Sequence, residues 1–202
     1  MTEHQNATHK EKMQKRKEAF ESRRARATHE KGLLIINTGP GKGKTTAALG
    51  MMFRALGQGF QVGVVQFIKG PMSTGEAKLA QQLDLPLTFH TMGEGFTWDT
   101  QDRERDMAMA WRAWNMAVSL LRDPAYKLVI LDELNIVLRY GYLPEDEVLA
   151  ELNNKRKDLH VIVTGRGAGT ALRDAADLVT EMKAVKHPYK SQGVKPQAGV
   201  EY

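Results

Sequence analysis

The stretch 33–56, "LLIINTGPGKGKTTAALGMMFRAL", places an apolar strand, a turn with three glycines in five residues and a helix in immediate succession. A strand that turns so tightly into a helix is the start of a crossover, and the next strand of the sheet then runs parallel to it. Gly39, Gly41 and Gly43 let the backbone approach an anion with successive N–H groups pointing inward. The start of the helix adds partial positive charge, Lys44 adds a full one, and the Thr45 hydroxyl suits Mg²⁺. The common phosphate-binding pattern is Gly, four residues, then Gly-Lys-Ser/Thr. Here Thr38 stands where the first glycine should fall and Gly39 comes one step late, so the loop is one residue tighter than usual.

The remainder of the chain repeats the alternation. Strands are expected at 61–68, 87–90, 127–133, 159–165 and 178–182, and helices at 45–56, 76–83, from about 103 through Leu121, 144–154 and near 170–176, with a polar tail beyond. Continuous apolar strands such as "LVIL" separated by helices predict an α/β fold: a mostly parallel sheet of about six strands covered by helices on both faces, with ligands at the carboxyl ends of the strands.

Charge is distributed unevenly. Residues 1–31 hold nine Lys/Arg against five Glu, so most of the net +5 lies there, and the body from residue 32 carries 20 bases against 19 acids. A nucleic-acid-binding fold is expected to show a basic face on the body itself, so no nucleic-acid partner is expected. Residues 9–30 have helix-favouring composition with little apolar surface, which fits either a helical arm or a solvated leader. The division expected is an arm, 1–31, and a nucleotide-binding and catalytic domain, 32–202. There are no cysteines, which excludes disulfides and thiolate chemistry. No apolar run approaches the roughly 18 residues of a membrane span, so the expectation is a cytoplasmic protein without a membrane partner.

Two further features bear on chemistry. "LVILDE" ends an apolar strand in Asp132 and Glu133. In nucleotide hydrolases of this architecture the Asp holds the Mg²⁺ shell and an adjacent residue activates water. The loop "GEGFTWDT" carries Phe96 and Trp98, which serve either to cover a flat hydrophobic ligand or to anchor a long loop in the core. These residues establish Mg-nucleotide binding and leave its use open among a transferase, a RecA-like ATPase and a regulatory nucleotide-binding module.

The stretches "TGPGKGKTTAALG", "RALGQG", "VGVVQFIKG", "GFTWDTQDRE", "VILDEL", "VIVTGRG" and "VKHPYKSQGVKPQAGVEY", in that order from about residue 32 to the C-terminus, closely resemble the P-loop family of ATP:corrinoid adenosyltransferases. The resemblance implies a RecA-like P-loop fold with an N-terminal helix that closes over the site as a lid. It implies transfer of the 5′-deoxyadenosyl group of ATP to the cobalt of a reduced corrinoid, with ATP bound in the reverse sense, its γ-phosphate at the end of the cradle where other P-loop proteins hold the α-phosphate. By that likeness Gly39, Gly41, Lys42, Gly43, Lys44, Thr45 and Thr46 hold the triphosphate, Arg54 reaches a phosphate, Thr45 and Asp132 serve Mg²⁺ (or Mn²⁺), and Glu133 bonds the ribose. Lys44, Thr45, Phe96 and Trp98 are the expected catalytic set. Phe96 and Trp98 match aromatics that bind the corrinoid and displace its lower axial ligand. A homodimer served by an electron-donating flavoprotein reductase, with cob(I)alamin or a related corrinoid as substrate, completes the implied picture. One departure is Pro40, which stands where the family pattern has Asn and removes a backbone donor.

Overall fold

The computed structural model describes residues 3–68, 74–92 and 102–200. The chain divides into two compact units, Met1–Lys31 and Gly32–Tyr202. The first contains one helix, α1 (Glu3–Arg26). Its stability is local: Lys15 bonds Glu11 at 2.8 Å and Gln14 bonds Glu18 at 2.9 Å, each one turn apart. Arg23, Arg24 and Arg26 lie in the last turn, where cations complement the helix dipole.

The second unit runs β1 (Leu34–Thr38), α2 (Lys44–Leu56), β2 (Gln61–Gln66), α3 (Gly75–Gln82), β3 (Leu87–Thr91), α4 (Arg103–Arg122), β4 (Tyr126–Asp132), α5 (Leu134–Arg139), α6 (Glu145–Asn153), β5 (His160–Thr164), α7 (Thr170–Ala175), β6 (Leu178–Glu181) and α8 (Pro188–Gln192). The six strands form one sheet in the order β3-β2-β4-β5-β1-β6, and every neighbouring pair is parallel. This is the expected RecA-like P-loop arrangement: the glycine loop follows β1, and β5 lies between β1 and the acid-ended strand β4.

Strand alternation assigns the two cores. Ile35, Val62, Val64, Leu128, Ile130 and Ile162 pack with Ala48, Met52 and Leu56, a stripe at four-residue spacing on α2. On the opposite face, Leu34, Ile36, Val65, Val129, Leu131, Val161 and Val163 form one cluster with Ala110, Ala113, Trp114, Ala117 and Leu121 of α4 and with Leu134, Val148, Leu152 and Leu172 of the shorter helices. The small residues of α4 bring its backbone close to the sheet, and Asp102 caps it by accepting from the Arg105 N–H at 3.1 Å.

The sequence-based boundaries differ from these at several points, most of them strand ends off by one or two residues. Glu133 does not continue β4; it adopts φ 63°, ψ 19° and turns the chain into α5. That six-residue helix and α8 were not expected, because neither is long enough to display a 3.6-residue period. Pro144 caps α6 from outside, with extended φ/ψ, rather than opening it from within.

Candidate nucleotide site

The glycine loop is pinned from behind by the segment after β6. The Met182 N–H donates to Thr38 O at 2.8 Å, and the Gly41 N–H donates to Met182 O at 2.6 Å. A Cβ on Gly39 would lie 2.5 Å from Met182 O, and one on Gly41 would lie 2.7 Å from Lys183 O, so both positions exclude a side chain. Gly43 caps α2 with φ 103° and offers no side-chain acceptor, so no side-chain cap satisfies the N–H groups that open the helix. Lys44, the first residue of α2, is 7% exposed and curls back to donate from Nζ to Gly41 O at 2.6 Å. Burial lowers its pKa, Glu133 opposes that shift, and Arg166 and Lys42 add to it.

The second wall is the carboxyl edge of the sheet. Asp132, at the end of β4, accepts from Thr45 Oγ1 at 2.8 Å and from Thr164 Oγ1 at 2.7 Å, both on Oδ1, and from Gln66 Nε2 at 3.0 Å on Oδ2. Gln66 Oε1 in turn accepts from Thr91 Oγ1 at 3.2 Å. The polar ends of β3, β2, β4 and β5 are thus joined to the start of α2, and the Asp132 carboxylate has its orientation fixed by three donors.

Glu133 is the one non-glycine residue with positive φ among the described residues, a conformation that costs on the order of 1 kcal/mol. Its N–H donates to Thr164 Oγ1 at 2.9 Å. Burial, with Asp132 adding and Lys44 and Arg166 opposing, pushes its carboxyl up to about 7. Glu133 Oε2 and the neighbouring Asn135 Oδ1 are buried acceptors without a partner among the described residues, while Asn135 Nδ2 donates to Gly165 O at 3.0 Å. Buried acceptors of this kind are ordinarily satisfied, so a ligand hydroxyl or amine, or water, belongs there.

The donor set fits a hard cation that arrives with phosphate oxygens. Thr45 and Asp132 present a hydroxyl and a carboxylate in contact, whereas no group of three or more His, Cys, Asp or Glu side chains that could hold a metal occurs among the described residues. Mg²⁺ is held in this way, by one or two protein oxygens with substrate phosphates and water.

A family model for ATP:corrinoid adenosyltransferase BtuR/CobO/CobP matches residues 30–202, which include the whole of the sheet and both walls of the site. The chain belongs to this family. It is 51% identical to a corrinoid adenosyltransferase of Pseudomonas aeruginosa over 96% of this chain and 95% of the relative. It is 50% identical to one of Sinorhizobium sp over 99% and 94%, and 44% identical to one of Salmonella typhimurium over 96% and 97%.

Within this adenosyltransferase family member, Gly39, Gly41, Gly43, Lys44 and Thr45 come together with Asp132 and Glu133 around the end of β1. Lys42 and Thr46 are exposed on the same loop and first helical turn. Arg54 is not brought to them: it is exposed in the last turn of α2, about 15 Å from Lys44 by the helical rise. Pro40 is exposed at the tip of the loop. Phe96 and Trp98 lie outside the described residues. Gln66, Thr91, Thr164 and Asn135 were not picked out from the sequence, since single polar residues at strand ends carry no local signature. No helix among the described residues is long and apolar enough to cross a membrane.

Proposed function

We propose that this family member adenosylates a reduced corrinoid with ATP by direct displacement at the ribose 5′ carbon. The Co(I) electron pair forms the Co–C5′ bond, and the C5′–O bond breaks with its pair leaving on the triphosphate. Cobalt passes formally from Co(I) to Co(III), no proton is transferred, and no general base is required. The protein's contribution is alignment and stabilisation of the leaving anion.

Each residue of the cradle has a part in that task. Gly41, Lys42, Gly43, Lys44, Thr45 and Thr46, with Gly39 at the entrance, hold the triphosphate through loop amides, the uncapped start of α2 and the Lys44 ammonium. Arg54 is left out of this set because it stands at the far end of α2. Thr45 and Asp132 would hold Mg²⁺ (or Mn²⁺), which supplies charge neutralisation to the phosphates. Glu133 accepts from a ribose hydroxyl, which gives its unpartnered Oε2 a donor. In the reversed orientation that the family resemblance implies, the 5′ carbon faces outward to the corrinoid. Phe96 and Trp98 cover that corrinoid and remove its lower ligand, and α1 closes as a lid. The same reading makes the protein a cytoplasmic homodimer in cobalamin biosynthesis, supplied with electrons by a flavoprotein reductase.

The supporting observation is the contact of Thr45 with Asp132 at the base of a glycine loop, in a chain whose family uses ATP and a corrinoid. The test is to incubate the purified protein with ATP, Mg²⁺ and chemically reduced cobalamin. Adenosylcobalamin and tripolyphosphate are expected in equal amounts; ADP and phosphate released without corrinoid would overturn the reading in favour of an ATPase. Lys44→Ala should raise the barrier by about 3 kcal/mol or more, by analogy with removal of an oxyanion donor.

A further inference from the structure

Thr164 ends β5 fully buried, and its one hydroxyl is engaged twice. It donates to Asp132 Oδ1 at 2.7 Å and accepts from the Glu133 N–H at 2.9 Å. A hydroxyl has a single proton, so the roles cannot be exchanged: the proton goes to the carboxylate and a lone pair takes the amide. Each bond strengthens the other, since an oxygen that receives an N–H gives up its own hydrogen more readily to an anion. The sheet register brings these groups together. Leu131 and Val163 are the last pair of the β4–β5 ladder, and Asp132 and Thr164 come side by side one step beyond. Glu133 has by then turned out of the strand at φ 63°, where its N–H has no ladder acceptor, and the Thr164 hydroxyl supplies one.

The backbone that carries this hydroxyl is held from both sides. Before it lies β5, paired with β1 and β4. After it, Gly165 O accepts from Asn135 Nδ2 at 3.0 Å, and the Ala168 N–H donates to Thr38 Oγ1 at 3.2 Å. Gly165 adopts φ 124°, and a Cβ there would lie 2.9 Å from Asn135 Cβ and 3.1 Å from Glu133 Oε2, so the turn takes glycine alone and presses against the Glu133 carboxyl.

We infer that Thr164 is a positioning residue for the reaction, its hydroxyl setting the Asp132 carboxylate and the backbone turn that aims Glu133 at the same time. The inference rests on the roles proposed above, Asp132 toward Mg²⁺ and Glu133 toward the ribose. One oxygen thereby ties the geometry of the leaving-group half of the site to that of the half that holds the sugar.

The test uses the full chain. Thr164→Val keeps the shape and strand preference of Thr and removes the hydroxyl, Thr164→Ser keeps the hydroxyl, and Thr88→Val removes a hydroxyl that meets Tyr126 OH at 2.7 Å elsewhere in the sheet. Calorimetric binding of tripolyphosphate as a function of Mg²⁺ reads Asp132, and hydrogen exchange at the Glu133 amide reads the turn. Thr164→Val should raise the half-saturating Mg²⁺ roughly 10-fold, as loss of a group that orients a metal-binding carboxylate does, and should speed exchange at Glu133. Thr164→Ser should restore both, and Thr88→Val should change neither. Single-turnover adenosylation of pre-reduced cob(I)alamin by Thr164→Val should stay slow at saturating Mg²⁺, because Glu133 remains misaimed. An unshifted Mg²⁺ curve in Thr164→Val beside a shifted one in Asp132→Asn would overturn the inference and leave the metal site standing. No shift in either variant would overturn both. Failure of Thr164→Ser to restore binding and exchange, or an equal shift in Thr88→Val with a lowered melting temperature, would reduce Thr164 to a structural part and overturn the inference. Where Thr164→Val does not fold, the unaltered protein decides: exchange at Glu133 should slow further when Mg-tripolyphosphate is added, and an unchanged rate would overturn the coupling.

Discussion

The Thr45 hydroxyl donates to Asp132 Oδ1 at 2.8 Å across 87 positions of sequence, which places the first turn of α2 against the end of β4. In the ligand-free protein the two groups satisfy one another, and the reading proposed above puts a cation with its phosphates between them.

Thr45→Ala and Asp132→Asn should therefore raise the Mg²⁺ concentration needed for half-maximal activity, by roughly 10–100-fold, whereas Thr45→Ser should stay close to the original. Activity measured against Mg²⁺ at fixed total ATP decides it, and an unshifted Mg²⁺ curve in both variants would remove the pair from the metal site.

Glu133 should make the ligand-free protein less stable as pH rises. Its carboxyl goes from an ordinary 4.5 to about 7 on folding, so the folded state binds the proton more tightly than the unfolded one. The stabilisation is fully present below pH 4.5 and is lost as pH climbs through 7, a change on the order of 3 kcal/mol. Urea denaturation of Glu133→Gln between pH 5 and 8 should lack this slope and give a variant more stable than the original at pH 8. As a ribose contact that keeps its shape, Gln should also retain much of the adenosylation rate, whereas a hydrolytic base replaced in this way would lose nearly all of it.

Phe96 and Trp98 give a prediction that separates two corrinoid oxidation states. Replacing both by Ala should cripple turnover of cob(II)alamin with a reductant and spare ATP affinity, and pre-reduced cob(I)alamin should restore part of the rate. Equal loss on both states with a lowered melting temperature would make the pair a core anchor.

For the N-terminal arm, limited proteolysis within residues 1–31 should slow when ATP and corrinoid are both present, because the α1 sequence has little apolar surface to hold it down unaided. Equal cleavage rates with and without the ligands would count against a lid.

What was legible in the chain followed from adjacency. The loop at 39–45 and the acids at 132–133 each announce themselves within a dozen residues, and the apolar strands between turns predicted a parallel sheet of six. Residues gathered by strand order were not legible: Gln66 and Thr164 meet Asp132, and Thr91 meets Gln66, only because the order β3-β2-β4-β5 sets their strands side by side. The stretch "VIVTGRG" was recognised, yet nothing local indicates that its Thr164 hydroxyl serves Glu133 as well. Arg54 shows the converse, since a helix that starts at the cradle carries its eleventh residue about three turns away. Glu133 had no signal for its left-handed backbone, because Glu is not a residue that favours it.

The bond from the Gly41 N–H to Met182 O bears on how the protein is made. A ribosome delivers the glycine loop early, but the strand that braces it, with Met182 and Lys183 just beyond, emerges some 140 residues later, and synthesis at about 5–20 residues per second makes that an interval of several seconds or more. During that interval a nascent chain carries the entire nucleotide motif without its brace. The cradle is therefore complete only when nearly the whole polypeptide has been synthesised.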